Sequence, residues 1–298
     1  PELEGARISS LADSLASDGD VAERHLGRYA RFEDDGFTAL NTAFVNDGAI
    51  LSVELEACIQ RPIHLVYLST GDGSPAVSYP RNLVVAGRNS ESTVVETYLS
   101  LSPGRDLTNT VTEIVLDEGA RIDHYRLLLD AADGFHVGTT RVHQSKDSSF
   151  TSSSISRGAA LARHDLLVTL DAPGTSCSLN GLYVTSGKEH IDNFINIDHA
   201  KPNTTSRLYY KGILDGSSRA VFGGTVLVRK DAQKADAQQS DKNLLLSDDA
   251  EVDSKPSLLI YADDVKCGHG ATAGHIDQDT LFYMMSRGLD RKTASALL

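Results

Sequence analysis

Three cysteines in 298 residues, Cys58, Cys177 and Cys267, are too few and too scattered to form a disulfide framework or to hold a four-cysteine cluster within this chain. Their scarcity fits a reducing compartment, such as cytosol or a plastid stroma. Cys58 and Cys177 read as small buried hydrophobes. Positive charge is also short, with 28 Lys plus Arg against 41 Asp plus Glu and a net charge of -13. An acidic surface of this kind repels phosphate backbones and anionic headgroups, so neither nucleic acid nor a membrane is an expected partner. No apolar run approaches the roughly 18 residues of a membrane span, and the start carries no signal-peptide pattern.

Nucleotide chemistry is missing too. Gly187-Lys188 is followed by Glu189, with Leu182 where a phosphate loop needs glycine. There is no His-Glu-x-x-His, no Gly-x-Ser-x-Gly and no dinucleotide fingerprint. The chain is therefore expected not to be an enzyme and to bind no nucleotide.

What is present is a core-forming chain, 40% hydrophobic and 23% charged. Ile8, Leu11 and Leu15 fall at helical spacing, and Ser17-Asp-Gly-Asp20 can end that helix and cap a second through Leu26 and Ala30. From Ala39 onward, short apolar stretches such as Ile63-His-Leu-Val-Tyr-Leu68 and Ser257-Leu-Leu-Ile-Tyr261 alternate with Gly, Asp, Asn and Ser clusters. No crossover helix separates them, which argues against a doubly wound sheet. Val115-Leu-Asp-Glu-Gly-Ala-Arg-Ile122 resembles Thr169-Leu-Asp-Ala-Pro-Gly-Thr-Ser-Cys177, and Leu214-Asp-Gly and Leu246-Ser-Asp-Asp-Ala-Glu-Val252 echo both.

Apolar pairs, acidic-glycine corners and further apolar strands suit a β-solenoid, in which Asn193 and Asn196 would point inward and bond between rungs. An antiparallel sandwich is the rival reading. The expected organisation is a helical segment over 1–38, a β-helix core over 39–276 and a helical segment over 277–298. Asp277 and Asp290 would cap the last two helices, and Leu281, Phe282, Met284 and Met285 would pack inward.

Cys267 and His269 lie in Ala262-Asp-Asp-Val-Lys-Cys-Gly-His-Gly-Ala-Thr-Ala-Gly274. Residues i and i+2 of a strand share a face, so thiol and imidazole can stand side by side. That donor set suits iron, iron–sulfur clusters, zinc or copper, yet leaves about two positions unfilled. The bland alternative is a structural Cys and His. Thiolate formation is opposed by the net charge and slightly favoured by Lys266. The other histidines show no ligand spacing. Asp248, Asp249 and Asp253, with Asp263 and Asp264, are a candidate calcium group of a polyuronate-lyase-like β-helix, or simply the polar corners of two coils.

The segments Tyr210-Lys-Gly-Ile-Leu-Asp-Gly-Ser-Ser-Arg-Ala-Val-Phe-Gly-Gly224, Asp231-Ala-Gln-Lys-Ala-Asp-Ala-Gln-Gln239, Asn243-Leu-Leu-Leu-Ser-Asp-Asp-Ala-Glu-Val-Asp253 and Phe282-Tyr-Met-Met-Ser-Arg-Gly288 resemble the SufD family of the SUF iron–sulfur cluster assembly system. So does the Cys267-Gly-His269 stretch. The resemblance implies a right-handed parallel β-helix with helical ends. It implies a scaffold that pairs with SufB through the C-terminal end of the β-helix and docks the ATPase SufC on its C-terminal helices. A transient cluster or iron shared with SufB would lie at Cys267 and His269. Self-association without SufB and a merely structural partnership with SufB are further expectations. Pro1 in place of Met, and the stop at Leu298, suggest a trimmed chain.

Overall fold

The computed structural model describes residues 3–17, 20–70, 74–101 and 104–298. Two sheets face one another along its length. The first is built from Ala6–Ser10, Ala49–Val53, Arg81–Ala86, Leu107–Leu116, Phe135–Gln144, Leu161–Leu170, His190–His199, Arg219–Val228 and Glu251–Ile260, with the two-residue strand Val77–Ser78 beside the fourth. The second holds Ile63–Ser69, Glu91–Ser100, Arg121–Leu129, Ser149–Arg157, Ser176–Thr185, Thr205–Leu214, Asp236–Leu245 and Lys266–His275.

From Glu91 onward the chain alternates between sheets, so each strand pairs in parallel with the next but one. Among the described strands, Ala6–Ser10 alone runs antiparallel, against Ala49–Val53. The result is a β-solenoid of about eight turns, one for each strand of the eight-stranded sheet. Parallel pairing throughout the core excludes the antiparallel sandwich.

Period-two burial builds the interior. In Leu161–Leu170, residues Ala162, His164, Leu166, Val168 and Leu170 are buried, while Arg163 and Asp165 between them are half-buried on the outer face. The same rule corrects the asparagine expectation. Asn193 is buried, but Asn196, three positions on, faces out.

The corners have their own order. Asn89, Gly119, Asp147, Gly174, Asn203 and Lys234 all take positive φ, one per coil. Each donates its backbone N–H to the next coil, to the carbonyls of Glu118, Lys146, Pro173, Asn203, Gln233 and Asp264 in turn. At Gly174, with φ +79, a Cβ would stand 2.0 Å from Asp147 Oδ1, so glycine is required twice over.

Part of the interior is polar. Glu96 accepts from Tyr98 and from Thr112, both at 3.1 Å. Burial pushes its carboxyl up, but His124, Tyr98 and Arg126 outweigh that and hold it below the usual range. Arg126 meets His136 Nε2 at 2.9 Å, and His136 Nδ1 meets Asp130 at 3.1 Å.

At the front, Leu11–Ala16 and Asp20–His25 are helical, but the second helix stops before Leu26 and Ala30, which it was expected to include and which lie in a turn and a bend instead, and Ile8 lies in a strand. Helical spacing misplaced it, because the edge of the first sheet claims residues 6–10. The expected break at Asp18-Gly19 lies outside the described residues. A third helix, Gly36–Phe44, crosses the transition expected near Ala39, and the parallel strands begin at Ala49. Buried Glu113 latches this region to the sheet. Its carboxylate accepts from Gly27 N at 2.8 Å, Tyr29 N at 2.9 Å, Ala30 N at 3.0 Å and Arg81 Nη2 at 2.6 Å.

At the back, Asp277 caps Gln278–Ser286 and Asp290 caps Arg291–Leu297, as the sequence predicts. Their apolar faces do not pack as expected. Leu281 is buried, but Phe282 is 73% exposed, Tyr283 58% and Met285 39%. No described helix is long and apolar enough to cross a membrane.

Candidate functional site at the open end of the solenoid

The second sheet ends at Lys266–His275, whose outer edge has no neighbour among the described strands. The run Cys267-Gly-His-Gly-Ala-Thr-Ala-Gly is poor in bulk, and its pairing comes from Asp236–Leu245 alone. In register, Cys267 stands beside Ala237 and His269 beside Gln239. Ala237 and Gln239 are buried, inward-facing residues of the preceding rung, so Cys267 and His269 share the inner face of the last one. With no coil beyond it among the described residues, that face opens outward: Cys267 is half-buried and His269 exposed.

Cys267 feels its partial burial first, which pushes the thiol up, and Asp236 adds to that. A backbone hydrogen bond from Ala237 opposes both. Free thiolate is thus disfavoured in the isolated chain, and an arriving cation would have to displace the proton. His269 Nδ1 lies 3.4 Å from Gln239 Nε2. Below them, Asp241 is buried and accepts from Ser254 at 2.6 Å, Asn243 at 2.7 Å and Tyr183 at 3.2 Å. Burial raises its carboxyl above the usual range despite those donors.

The two donors are together but alone. Among the described residues, no three His, Cys, Asp or Glu side chains converge to hold a metal ion. The acidic residues weighed for calcium are spread out. Asp248 and Asp249 lie at one corner of the last coil, Asp263 and Asp264 at the other, with the ten-residue strand Glu251–Ile260 between them, a span of roughly 30 Å. Asp253 is engaged with Arg219 at 2.5 Å. Cys177 is buried in the core, its thiol pushed up to about 12, as expected of a packed hydrophobe; Cys58 is exposed instead.

The edges that flank the site differ. Glu251–Ile260, the last strand of the first sheet, carries Lys255 and Pro256, two residues that discourage further pairing. Lys266–His275 has no such guard beyond its first residue. Gln239 went unnoticed in the sequence, since a Gln-Gln pair in a polar strand carries no signal until the register puts one under His269.

Comparison with known proteins matches residues 67–298 to the SUF system FeS cluster assembly SufBD core domain and residues 2–65 to the SufBD protein N-terminal region. The chain is 36% identical over 284 residues to an iron–sulfur cluster assembly SufBD family protein of Synechocystis, covering 92% of this chain and 63% of that one. It is 29% identical to the iron–sulfur cluster assembly protein SufD of Escherichia coli, covering 99% and 71%. It is 34% identical to a chloroplastic protein, ABCI7, of Arabidopsis thaliana, covering 89% and 57%. The chain thus spans about two thirds of the length of these relatives.

Proposed function

Since the chain belongs to the SufBD family of the SUF iron–sulfur cluster assembly system, we propose that it is a non-catalytic scaffold subunit whose Cys267 and His269 contribute to a nascent cluster shared with a second subunit. The carrying observation is the pair of donors on one inward face of a rung whose outer edge is unpaired. Thiolate and imidazole both suit iron, and two donors leave positions for a partner to fill. A strand of a SufB-type partner, added to the unguarded edge of Lys266–His275, would bring further ligands within reach. The cluster is cargo, and a site split between subunits can release it when they separate.

The exposed Phe282, Tyr283 and Met285 support a second contact on the terminal helices, suited to the ATPase SufC, whose nucleotide chemistry this chain lacks. The reducing setting that scattered thiols favour is cytosol, or plastid stroma in a photosynthetic host. A purely structural partnership with SufB is favoured by one observation, the partial burial of Cys267, which raises its thiol.

Anaerobic co-expression with SufB and SufC candidates, counting iron and sulfide in the purified complex, separates these readings. We expect His269→Ala to lower bound iron at least several-fold and Cys267→Ala to lower it less, with the complex intact. Full cluster content in both variants and in their combination would leave only the structural partnership.

A further inference from the structure

The terminal atom of Gln239 that reaches His269 is its amide nitrogen. Nε2 lies 3.3 Å from the carbonyl of Ser257 and 3.5 Å from that of Gly224, two acceptors that both require a donor, and 3.4 Å from His269 Nδ1. The amide is held in place: Gln239 is 4% exposed. Gly224 leaves it room, because a Cβ there would come within 2.8 Å of Oε1. Oε1 itself is buried and has no hydrogen-bond partner.

From this geometry we infer that Gln239 is a positioning residue that decides which ring nitrogen of His269 offers a lone pair at the open end. The amide nitrogen has two N–H groups for three acceptors, so one is shared between them; it has no lone pair to receive an N–H from the ring, so Nδ1 must accept, and the neutral ring then carries its proton on Nε2. A ring in that state presents an N–H outward and has no lone pair there for iron. For Nε2 to ligate, its proton must leave to solvent and Nδ1 must gain one, after which Nδ1 needs an acceptor. The unpartnered Oε1 of the same amide is that acceptor once the amide turns over. The turn gives up the bonds to Ser257 and Gly224, so the closed arrangement persists until a ligand or partner offsets their loss. Gln239 thereby keeps the free chain from collecting stray metal ions. This inference rests on the proposed role of His269 as an iron donor.

The test uses the ¹⁵N-labelled chain and long-range ¹H–¹⁵N spectra, with the His269 ring assigned by its loss in His269→Gln. The parent is expected to show the Nε2–H form almost exclusively, and Gln239→Glu, whose carboxylate only accepts, to show Nδ1–H. Cobalt(II) titration supplies a second readout. Gln239→Leu removes the donated bond and is expected to bind cobalt about fivefold more tightly than the parent, whereas loss of a merely structural contact would leave affinity equal or weaker. A parent ring found mainly as Nδ1–H overturns the inference, whatever the variants do. So does unchanged or weaker cobalt binding in folded Gln239→Leu. Cluster content in the reconstituted complex is measured separately, so failure here does not coincide with failure of the scaffold role.

Discussion

Burial holds several histidines of this solenoid uncharged, and His199 shows the consequence most directly. Fully buried between Thr204, 2.7 Å from Nδ1, and Ser206, 2.9 Å from Nε2, it is lowered to about 4, with burial the largest cause. His136 and His164 are lowered for the same first reason. The unfolded chain binds these protons near pH 6.5, while the folded one refuses them until lower pH. Stability should therefore be level above pH 7 and fall as pH drops from 6.5 toward 4, His199 alone accounting for up to about 3 kcal/mol. Urea denaturation across that range checks it, and His199→Gln should reduce the slope by one proton, about 1.4 kcal/mol per pH unit. An unaltered slope would mean that His199 is protonated in the fold. None of this was legible from spacing. A histidine at an inward position looks the same in sequence whether it meets Ser206 or water.

Strand and corner patterns were easier to read than the helices, for a physical reason. Corners repeat because every coil needs a left-handed residue whose N–H reaches the coil beyond, and Asp, Asn and Gly tolerate that conformation best. The likeness of 115–122 to 169–177 reflects that requirement. The N-terminal segment has no such periodic demand, so Ile8 followed sheet pairing against its helical spacing. Its attachment depends on Glu113. Replacing Glu113 by Leu removes four hydrogen bonds and strands Arg81 beneath the segment, a loss of about 3–5 kcal/mol. Limited proteolysis should then cut within 20–35 much faster than in the parent, while amide exchange beyond 160 stays unchanged. Equal cutting rates would show that the segment is held by something other than this carboxylate.

On the scale of the whole molecule, each coil leans only on its neighbours, so stability is local and additive. The terminal helices contribute little to it, since among them only Leu281 and Ala294 are buried. A chain ending at 276 is expected to keep its strand circular dichroism and to melt within a few degrees of the parent; collapse of the solenoid would show that the helices close its end. The apolar faces expected to turn inward there failed because helical periodicity reports that a face exists and is silent on what covers it. Parallel pairing was legible only through the repeated corners, as it joins residues about one coil apart. The donors themselves were legible, since i and i+2 fix a common face in any strand. Their place near the end of the solenoid followed from its expected limit at 276; the unpaired outer edge of their strand, among the described residues, did not.

That rung has one more property. Built mainly from glycine, alanine and threonine and paired along a single side, Lys266–His275 should ravel before any strand between it and Arg121. A chelating pair mounted on fraying thread grips weakly by itself, because each binding event must first repay the ordering of its own support. Whatever lies down alongside would supply that order in advance, so the hold on iron would tighten on docking and slacken on departure even where the newcomer adds no ligand of its own.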